Sequence, residues 1–323
     1  MADKIKVLDH GYVEFIEAWG HGKDGEDNTV RSEHGDHYIN YDVDYEVAII
    51  EAARQSTQGS FRGWNPTPCS CDSTPHQSSC SYEPGDAKLL KFLYSHSHLT
   101  PFEFSGMTLE VQAPIFVFRE WQRHRTMSYN EMSARYAPLP DLYYEPSIEE
   151  VQRRAELAGI STNKQAQAYA SGLKSTTPMG DWTRRGWELN EILEQHYQLG
   201  LKIGVPKELA RIQMPVGHYS RMRCSANLRN WLQFLTLRLN PPAQWEIRQF
   251  ASAVLDIVKV KFPRTCELFL TQGRRSVTWK PPTAEELVTD LEDDAAKGLY
   301  FEIDAENAKI LLDYIKSLQA NQK

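Results

Sequence analysis

The sequence has few cysteines, no long apolar run and no excess of basic residues. Five cysteines among 323 residues are too few for a disulfide scaffold, which makes a reducing cytoplasm the expected location. No apolar run approaches the roughly 18 residues of a membrane-spanning helix, and residues 1–15 lack the apolar core of a signal peptide. A net charge of -7 argues against a protein that coats nucleic acid. We therefore expect a cytoplasmic protein that uses neither a membrane nor a nucleic acid as its partner.

The charged residues are distributed unevenly along the chain. Residues 23–46 hold eight carboxylates against two bases, and residues 285–294 hold six carboxylates and no base. Residues 207–248 reverse this balance, with seven bases, six of them arginine, against two carboxylates. A second arginine cluster consists of Arg119, Arg123, Arg125 and Arg135. Solvated helix faces would explain such runs, but the aromatic residues among these arginines favour sites for small anions, since a guanidinium binds phosphate through two parallel N–H groups.

Hydrophobic periodicity predicts a chain of mixed helices and strands. The predicted strands cover residues 5–18 and 101–111. The predicted helices cover residues 45–54, 87–96, 115–122, 207–211, 225–239 and 243–262, with two more within 145–200 on either side of a break at 177–180. Residues 1–273 are expected to form one domain with an inserted loop at 57–86 and a helical insertion at 145–200. Residues 274–323 are expected to form an acidic C-terminal extension.

The densest polar stretch of the chain is residues 123–136. It reads RHRTMSYNEMSARY and directly follows an apolar segment. An unpaired polar group costs roughly 1–3 kcal/mol when buried, so this stretch has to face solvent or a polar ligand. Its arginines suit phosphates, while Asn130 and Glu131 suit a heterocycle or a sugar. The stretch therefore predicts a nucleotide or cofactor site.

The same stretch resembles the signature of the flavin-dependent thymidylate synthases. Every fixed position of R-H-R-x-x-S-x-N-E-x-S-x-R is matched by residues 123–135. Three other segments are similar to segments of that family: residues 53–56 (A-R-x-S), residues 98–103 (H-x-[ST]-P-F-E) and the core between residues 210 and 246. In all, the resemblance covers residues 5–20, 45–56, 87–142 and 205–272.

The resemblance implies a fold, a reaction and an assembly. The expected fold is α/β (α+β), with a central twisted sheet, mixed or antiparallel, that is flanked by helices and binds FAD without a Rossmann domain. The family methylates dUMP to dTMP, with 5,10-methylenetetrahydrofolate as carbon donor, NADPH as reductant and a tightly bound FAD. Reduced flavin supplies the hydride, so that no cysteine attacks the uracil. A homotetramer with its sites between chains is also implied.

Residue roles follow from the same resemblance, and no metal is expected among them. Arg238 is expected beside the uracil, where a fixed guanidinium would favour ionisation at N3 and so activate C5. His98 is expected near the flavin and the folate. FAD contacts are implied for Ser56, Thr100, Arg123, His124, Arg125, Glu131, Asn227, Arg229 and Gln233. Contacts with dUMP are implied for Glu120, Trp121, Gln122, Arg123, Glu131, Met132, Ser133, Ala134, Arg135, Arg211 and Arg238.

Two residues depart from the family pattern. Phe104 follows P-F-E where the family commonly has histidine, and a core position in a strand would explain it. Glu120 stands where the family often has glutamine, and it either pairs with a neighbouring arginine or weakens nucleotide binding. Two further hypotheses therefore stay open: a homologue that kept the fold and FAD but lost synthase activity, and a nucleotide- or single-strand-binding module that stacks bases on the aromatic residues.

The inserted loop contains Cys69, Cys71, Cys80 and His76. Three thiolates and an imidazole are possible zinc ligands, although their spacing matches no known zinc site. A redox-sensitive disulfide and a loop without a ligand are the alternatives. Cys224 and Cys266 are expected to be core thiols within helices.

Overall fold

A computed structural model of the chain describes residues 4–22, 29–31, 38–40, 43–64, 85–160 and 177–272. Cys69, Cys71, His76 and Cys80 lie outside the described residues, so the three hypotheses for the inserted loop stay untested. The predicted C-terminal extension, residues 274–323, also lies outside them, so that prediction stays untested. Within the described ranges, no helix combines the length and the hydropathy that crossing a bilayer would require.

An antiparallel sheet of five strands forms the centre of the fold, in the order β1-β2-β5-β7-β6. Two further short strands, β3 and β4, pair with each other. The strands are β1 Lys4–Val7, β2 Gly11–Trp19, β3 Thr29–Arg31, β4 Tyr38–Asn40, β5 Gly106–Pro114, β6 Ser128–Glu131 and β7 Tyr219–Asn227. The predicted α/β fold is confirmed, and its sheet is antiparallel throughout the described strands.

Helices cover one face of this sheet, and their apolar residues form the main core. The α-helices are α1 Val47–Arg54, α2 Asp86–Ser95, α3 Ile115–Trp121, α4 Ile148–Ile160, α5 Thr177–Lys202, α6 Lys207–Ala210, α7 Leu228–Arg238, α8 Trp245–Lys261 and α9 Pro263–Gln272. Short 3-10 helices cover Gln55–Thr57, Thr100–Phe104 and Arg211–Gln213.

In the centre of the sheet, β5 and β7 have one buried face and one polar face. Leu109 and Val111 of β5 are fully buried on the side that α7 and α8 cover, because alternate residues of a strand point to opposite faces. The other side carries polar pairs, such as Arg223 Nε with Glu110 (3.3 Å). An antiparallel sheet can thus bury one face and leave the other to water or to a partner.

The glycine pattern at residues 20–25 does not follow a parallel strand, as a Rossmann loop would. These residues read GHGKDG and match the spacing G-x-G-x-x-G, which in a Rossmann domain joins a parallel strand to a helix. They follow β2, which pairs antiparallel with both of its neighbours. The spacing alone is therefore not evidence for a dinucleotide loop in this chain, and the fold is not a Rossmann fold.

Two predicted elements are divided differently in the structure. The predicted strand at 101–111 is a 3-10 helix, Thr100–Phe104, followed by β5. The predicted core position of Phe104 is wrong, since its side chain is 58% exposed. The predicted strand at 5–18 is a hairpin of β1 and β2, turning at Leu8, which has a positive φ of 58°.

Several predicted helix ends are also shifted. Residues 225–227 belong to β7 rather than to a helix, so Cys224 is a core thiol in a strand, not in a helix as predicted. Residues 177–180 begin α5 rather than interrupting a helix. Pro263 begins α9 directly after α8, because proline is well tolerated in the first turn of a helix.

Candidate functional site

The signature motif begins where α3 ends, and the core anchors this point. Trp121, the last residue of α3, is fully buried, and its ring lies 4.7 Å from that of Phe234 in α7. Its side chain therefore belongs to the core, and only its backbone faces the motif. The carbonyl of Trp121 accepts a hydrogen bond from the backbone of His124 (3.0 Å), which turns the chain out of the helix.

Arg238, at the end of α7, lies within a cluster that joins α3, the motif and α7. Its Nε donates to His124 Nε2 (2.9 Å), and its Nη1 donates to Glu120 Oε2 (2.8 Å). Its Nη2 donates to the backbone carbonyl of Glu120 (2.7 Å). The Arg238 side chain is only 14% exposed. The structure thus brings Arg238 to two predicted site residues that lie more than 100 positions before it, and Glu120 does pair with an arginine.

His124 is neutral in this cluster. Burial, with a smaller effect of the Arg238 charge, lowers the pKa of His124 to about 4. Because Nε2 accepts the hydrogen bond from Arg238, the proton of the neutral ring is on Nδ1. The ring also meets Phe234 edge-on, with 4.9 Å between centroids. Position, tautomer and charge of His124 are all fixed by its surroundings.

Three predicted anion-binding arginines have no acidic partner within the described residues. Arg123 and Arg125 follow α3 in the motif, and Arg211 lies in the 3-10 helix after α6; all three are exposed. Their side chains form no ion pair or hydrogen bond among the described residues. In contrast, Arg135 pairs with Glu208 (3.0 Å) at an exposed site. Uncompensated guanidinium groups are available for phosphates.

The edge strand β6 places the second half of the motif. Glu131 is exposed and accepts a weak hydrogen bond from Gln122 Nε2 (3.3 Å). Met132 extends the pairing of β6 with β7 by one residue, since its backbone N–H donates to the carbonyl of Arg221 (2.7 Å). Ser133 is half-buried, whereas Ala134 is buried in a small second core. The side chain of Ala134 is therefore turned away from the surface.

Most of the remaining predicted flavin residues lie in α7, at its N-cap, or in the 3-10 helix Thr100–Phe104. Asn227 caps α7, since its Oδ1 accepts from the backbone of Asn230 (3.0 Å). Arg229 pairs with Glu103 of the 3-10 helix Thr100–Phe104, which places that helix beside α7. His98, Thr100 and Arg229 are exposed and Gln233 is half-buried, whereas Ser56 is exposed in the 3-10 helix after α1.

Comparison with known proteins decides the family. Residues 38–264 match the model of the family described as thymidylate synthase complementing protein. This range includes the whole motif and the Arg238 cluster. The chain belongs to this family.

Named members of the family align with the chain at similar levels of identity. A flavin-dependent thymidylate synthase of Thermotoga neapolitana is 30% identical over 267 residues, which are 83% of this chain and 94% of that protein. One of Dictyostelium discoideum is 35% identical over 196 residues, and there the chain spans only 60% of the relative's length. The predicted family and its enzyme class, a methyltransferase, are confirmed.

A solved structure supports the same assignment. The UMP/dUMP methylase PolB of Streptomyces cacaoi, solved with 5-Br UMP, is 26% identical to this chain. The two structures superpose with a TM-score of 0.58, and the match covers 84% of this chain and 99% of PolB. A second structure of the same methylase was solved with 5-Br dUMP.

Two residues that contact the candidate site were not predicted from the sequence. Glu103 holds Arg229, and Asn230 Nδ2 donates to the carbonyl of Thr126 (3.0 Å). Glu103 lies within residues 98–103, which resemble a segment of the family. Its negative charge in that segment was the sequence feature that could have predicted a contact with an arginine of the site. Nothing in the sequence indicates the contact of Asn230, because the two residues are 104 positions apart.

Neither cysteine of the described ranges has the exposed, ionised thiol of a nucleophile. Cys224 is fully buried, and its burial raises the pKa of the thiol. Burial also raises the pKa of Cys266 to about 11. Both thiols are therefore protonated near neutral pH and lie in the core. Within the described residues, no group of histidine, cysteine or acidic side chains has the arrangement of a metal site.

Proposed function

We propose that this protein makes dTMP by transferring a methyl group to C5 of dUMP, in the cytoplasm. The carbon comes from 5,10-methylenetetrahydrofolate, and NADPH is the reductant, with FAD as the resident cofactor. One observation carries the proposal: a largely buried Arg238 lies against neutral His124, beside a motif whose Arg123 and Arg125 have no acidic partner in the part of the chain that the structure describes.

The residues present fit FAD. Its pyrophosphate needs cationic forks, and Arg123 and Arg125 are exposed and unpaired within the described residues. Neutral His124 offers an Nδ1–H donor, while Asn227 and Arg229 provide polar groups at the start of α7. The remaining residues that would hold it are Ser56, Thr100, Glu131 and Gln233. When bound, FAD supplies the hydride that completes the methyl group.

The proposed role of Arg238 is electrostatic. Methylation at C5 requires negative charge on the uracil, and a guanidinium that is already fixed in place stabilises that charge without reorganising. Three hydrogen bonds fix Arg238 in this way. The unpaired Arg123 and Arg211 would bind the phosphate of dUMP, and His98 would face the flavin and the folate.

Two features of the single chain support the proposed homotetramer. The predicted site residues are mostly exposed on the single chain, so neighbouring subunits are needed to enclose a flavin. The outer side of α5, opposite to the side that packs on the protein, carries several exposed apolar side chains among polar ones. Exposed apolar surface of this kind marks an interface between proteins. The residues of this outer stripe are Trp182, Leu189, Ile192 and Leu199, and Ile203 continues it just after α5.

An assay of the purified protein tests the proposed function. We expect a flavin absorbance spectrum, and dTMP that forms only when dUMP, methylenetetrahydrofolate and NADPH are all present. UMP replaces dUMP in a parallel reaction, because PolB is described as a methylase of both nucleotides. A protein that neither binds added FAD nor oxidises NADPH would refute the proposal. Oligonucleotide binding with a steep salt dependence, without flavin, would favour a binding module instead.

A further inference from the structure

Glu120 uses both its side chain and its backbone to hold Arg238. The carboxylate accepts from Nη1, and the carbonyl of the same residue accepts from Nη2. A guanidinium has five N–H donors. The third hydrogen bond, from Nε to His124, leaves one N–H on each Nη nitrogen for a ligand.

The Arg238–Glu120 pair is less exposed to solvent than a comparable ion pair nearby. The side chains of Arg238 and Glu120 are 14% and 29% exposed, whereas the Arg229–Glu103 pair is 44% and 36% exposed. A half-buried charge pair is screened less by solvent than an exposed one. Glu120 is also anchored, because it belongs to α3, whose neighbouring Trp121 is fixed in the core.

We propose that Glu120 is a positioning residue, which holds the guanidinium of Arg238 in the orientation that it needs to meet the uracil. This inference rests on the proposed function, since it concerns the same nucleotide. Its carboxylate also reduces the positive charge near the uracil. Glu120 thus fixes Arg238 at the expense of some affinity for an anionic substrate.

Two variants separate these effects. Glu120→Gln keeps a carbonyl oxygen that accepts from Nη1 but removes the charge, whereas Glu120→Ala removes the acceptor. Since both remove a carboxylate near an anion, both should bind dUMP at least as tightly as the native protein. We expect Glu120→Ala to lower kcat about tenfold or more, and Glu120→Gln to retain most of kcat. In Glu120→Gln, the acid limb of the profile of kcat against pH should shift to a lower pH by about half a unit. The reason is that N3 of the uracil ionises more easily once the neighbouring negative charge is removed.

The measurements are dUMP affinity by calorimetry and kcat between pH 6 and 9, both on the flavin-loaded full-length protein. Glu110→Gln is the matched control, because Glu110 pairs with Arg223 on the opposite face of the sheet. It should leave dUMP affinity and kcat unchanged. Native kcat in Glu120→Ala would overturn the proposal, as would a Glu120→Gln variant that is as slow as Glu120→Ala.

A denaturation experiment keeps this inference separate from the proposed function. Glu120→Gln should lower the urea midpoint of the native protein but not that of Arg238→Gln, since the pair is already broken there. Equal shifts in both backgrounds would overturn the pairing. A native protein that shows this coupling but forms no dTMP would refute the function alone. An active native protein without the coupling would refute the role of Glu120 alone.

Discussion

The hydroxyl of Tyr129 donates a hydrogen bond to the backbone carbonyl of His124 (2.8 Å) and lies 3.0 Å from the carbonyl of Trp121. Tyr129 belongs to the edge strand β6, whereas His124 belongs to the loop after α3. Burial raises the pKa of Tyr129, so the phenol stays protonated at neutral pH. This contact ties the loop that carries the motif's arginines to the sheet.

Tyr129→Phe should therefore loosen that loop. We expect the free energy of unfolding to fall by about 1 kcal/mol, because the carbonyl of His124 loses one of its two donors, and we expect FAD to bind more weakly. Chemical denaturation and flavin titration measure the two effects. Tyr143→Phe is the control, since Tyr143 donates to Glu194 (2.7 Å) in a buried contact of its own. That variant should lose stability but keep its flavin affinity, and equal flavin affinity in Tyr129→Phe would contradict the prediction.

Arg123→Gln and Arg125→Gln should weaken ligand binding without destabilising the fold. Neither side chain has an acidic partner among the described residues, so unfolding free energies should stay within about 0.5 kcal/mol of the native value. Binding of FAD should weaken by at least about tenfold and lose part of its salt dependence. Arg184→Gln, which removes an exposed arginine on α5, should leave flavin binding unchanged. A loss of stability with normal binding would show that these arginines are structural.

Arg238→Ala should retain flavin but lose nearly all methyl transfer. Removal of a fixed donor that stabilises transition-state charge lowers kcat by about a hundredfold or more. Single-turnover formation of dTMP measures the step directly. Arg223→Ala, on the other face of the sheet, is the comparison and should remain active. Full activity of Arg238→Ala would exclude the proposed role.

The stability of the protein should depend on pH through His124. Its pKa is lowered from the usual 6.5 to about 4 in the folded protein, which therefore favours the neutral ring. This contribution is fully present above about pH 6.5 and is lost as the pH falls towards 4. His124→Gln removes the titration but keeps an acceptor for Arg238. The stability difference between native protein and His124→Gln should decrease between these pH values, and a constant difference would contradict the assignment.

Replacing apolar residues of the outer stripe of α5 by charged ones should dissociate the proposed tetramer. Leu189 and Ile192 are 51% and 58% exposed on the single chain, so their replacement costs little within it. The double variant Leu189→Glu, Ile192→Glu should form smaller assemblies in sedimentation experiments and lose flavin. Glu191→Lys changes the charge outside the stripe and should keep the assembly. An unchanged tetramer in the double variant would place the interface elsewhere.

Periodicity and motif together predicted much of this protein. The spacing of apolar residues gave α1, α2, α3 and α8 to within a few residues, because each buries a regular stripe. The motif at 123–135 pointed to the family that residues 38–264 confirm. Predictions failed where a strand runs into a helix, as at Asn227, because apolar positions continue across the junction and periodicity alone cannot locate it.

The sequence by itself determined the family, the antiparallel or mixed sheet, and the set of charged groups available to bind anions. Only the tertiary structure decided which of these charges are paired. Glu120 and Arg238 are 118 positions apart, yet the packing of α3 against α7 brings them to 2.8 Å. Arg123, three residues from Glu120, has no partner among the described residues. Neighbours in the sequence do not settle such pairing, since ion pairs form between side chains that the fold brings into contact.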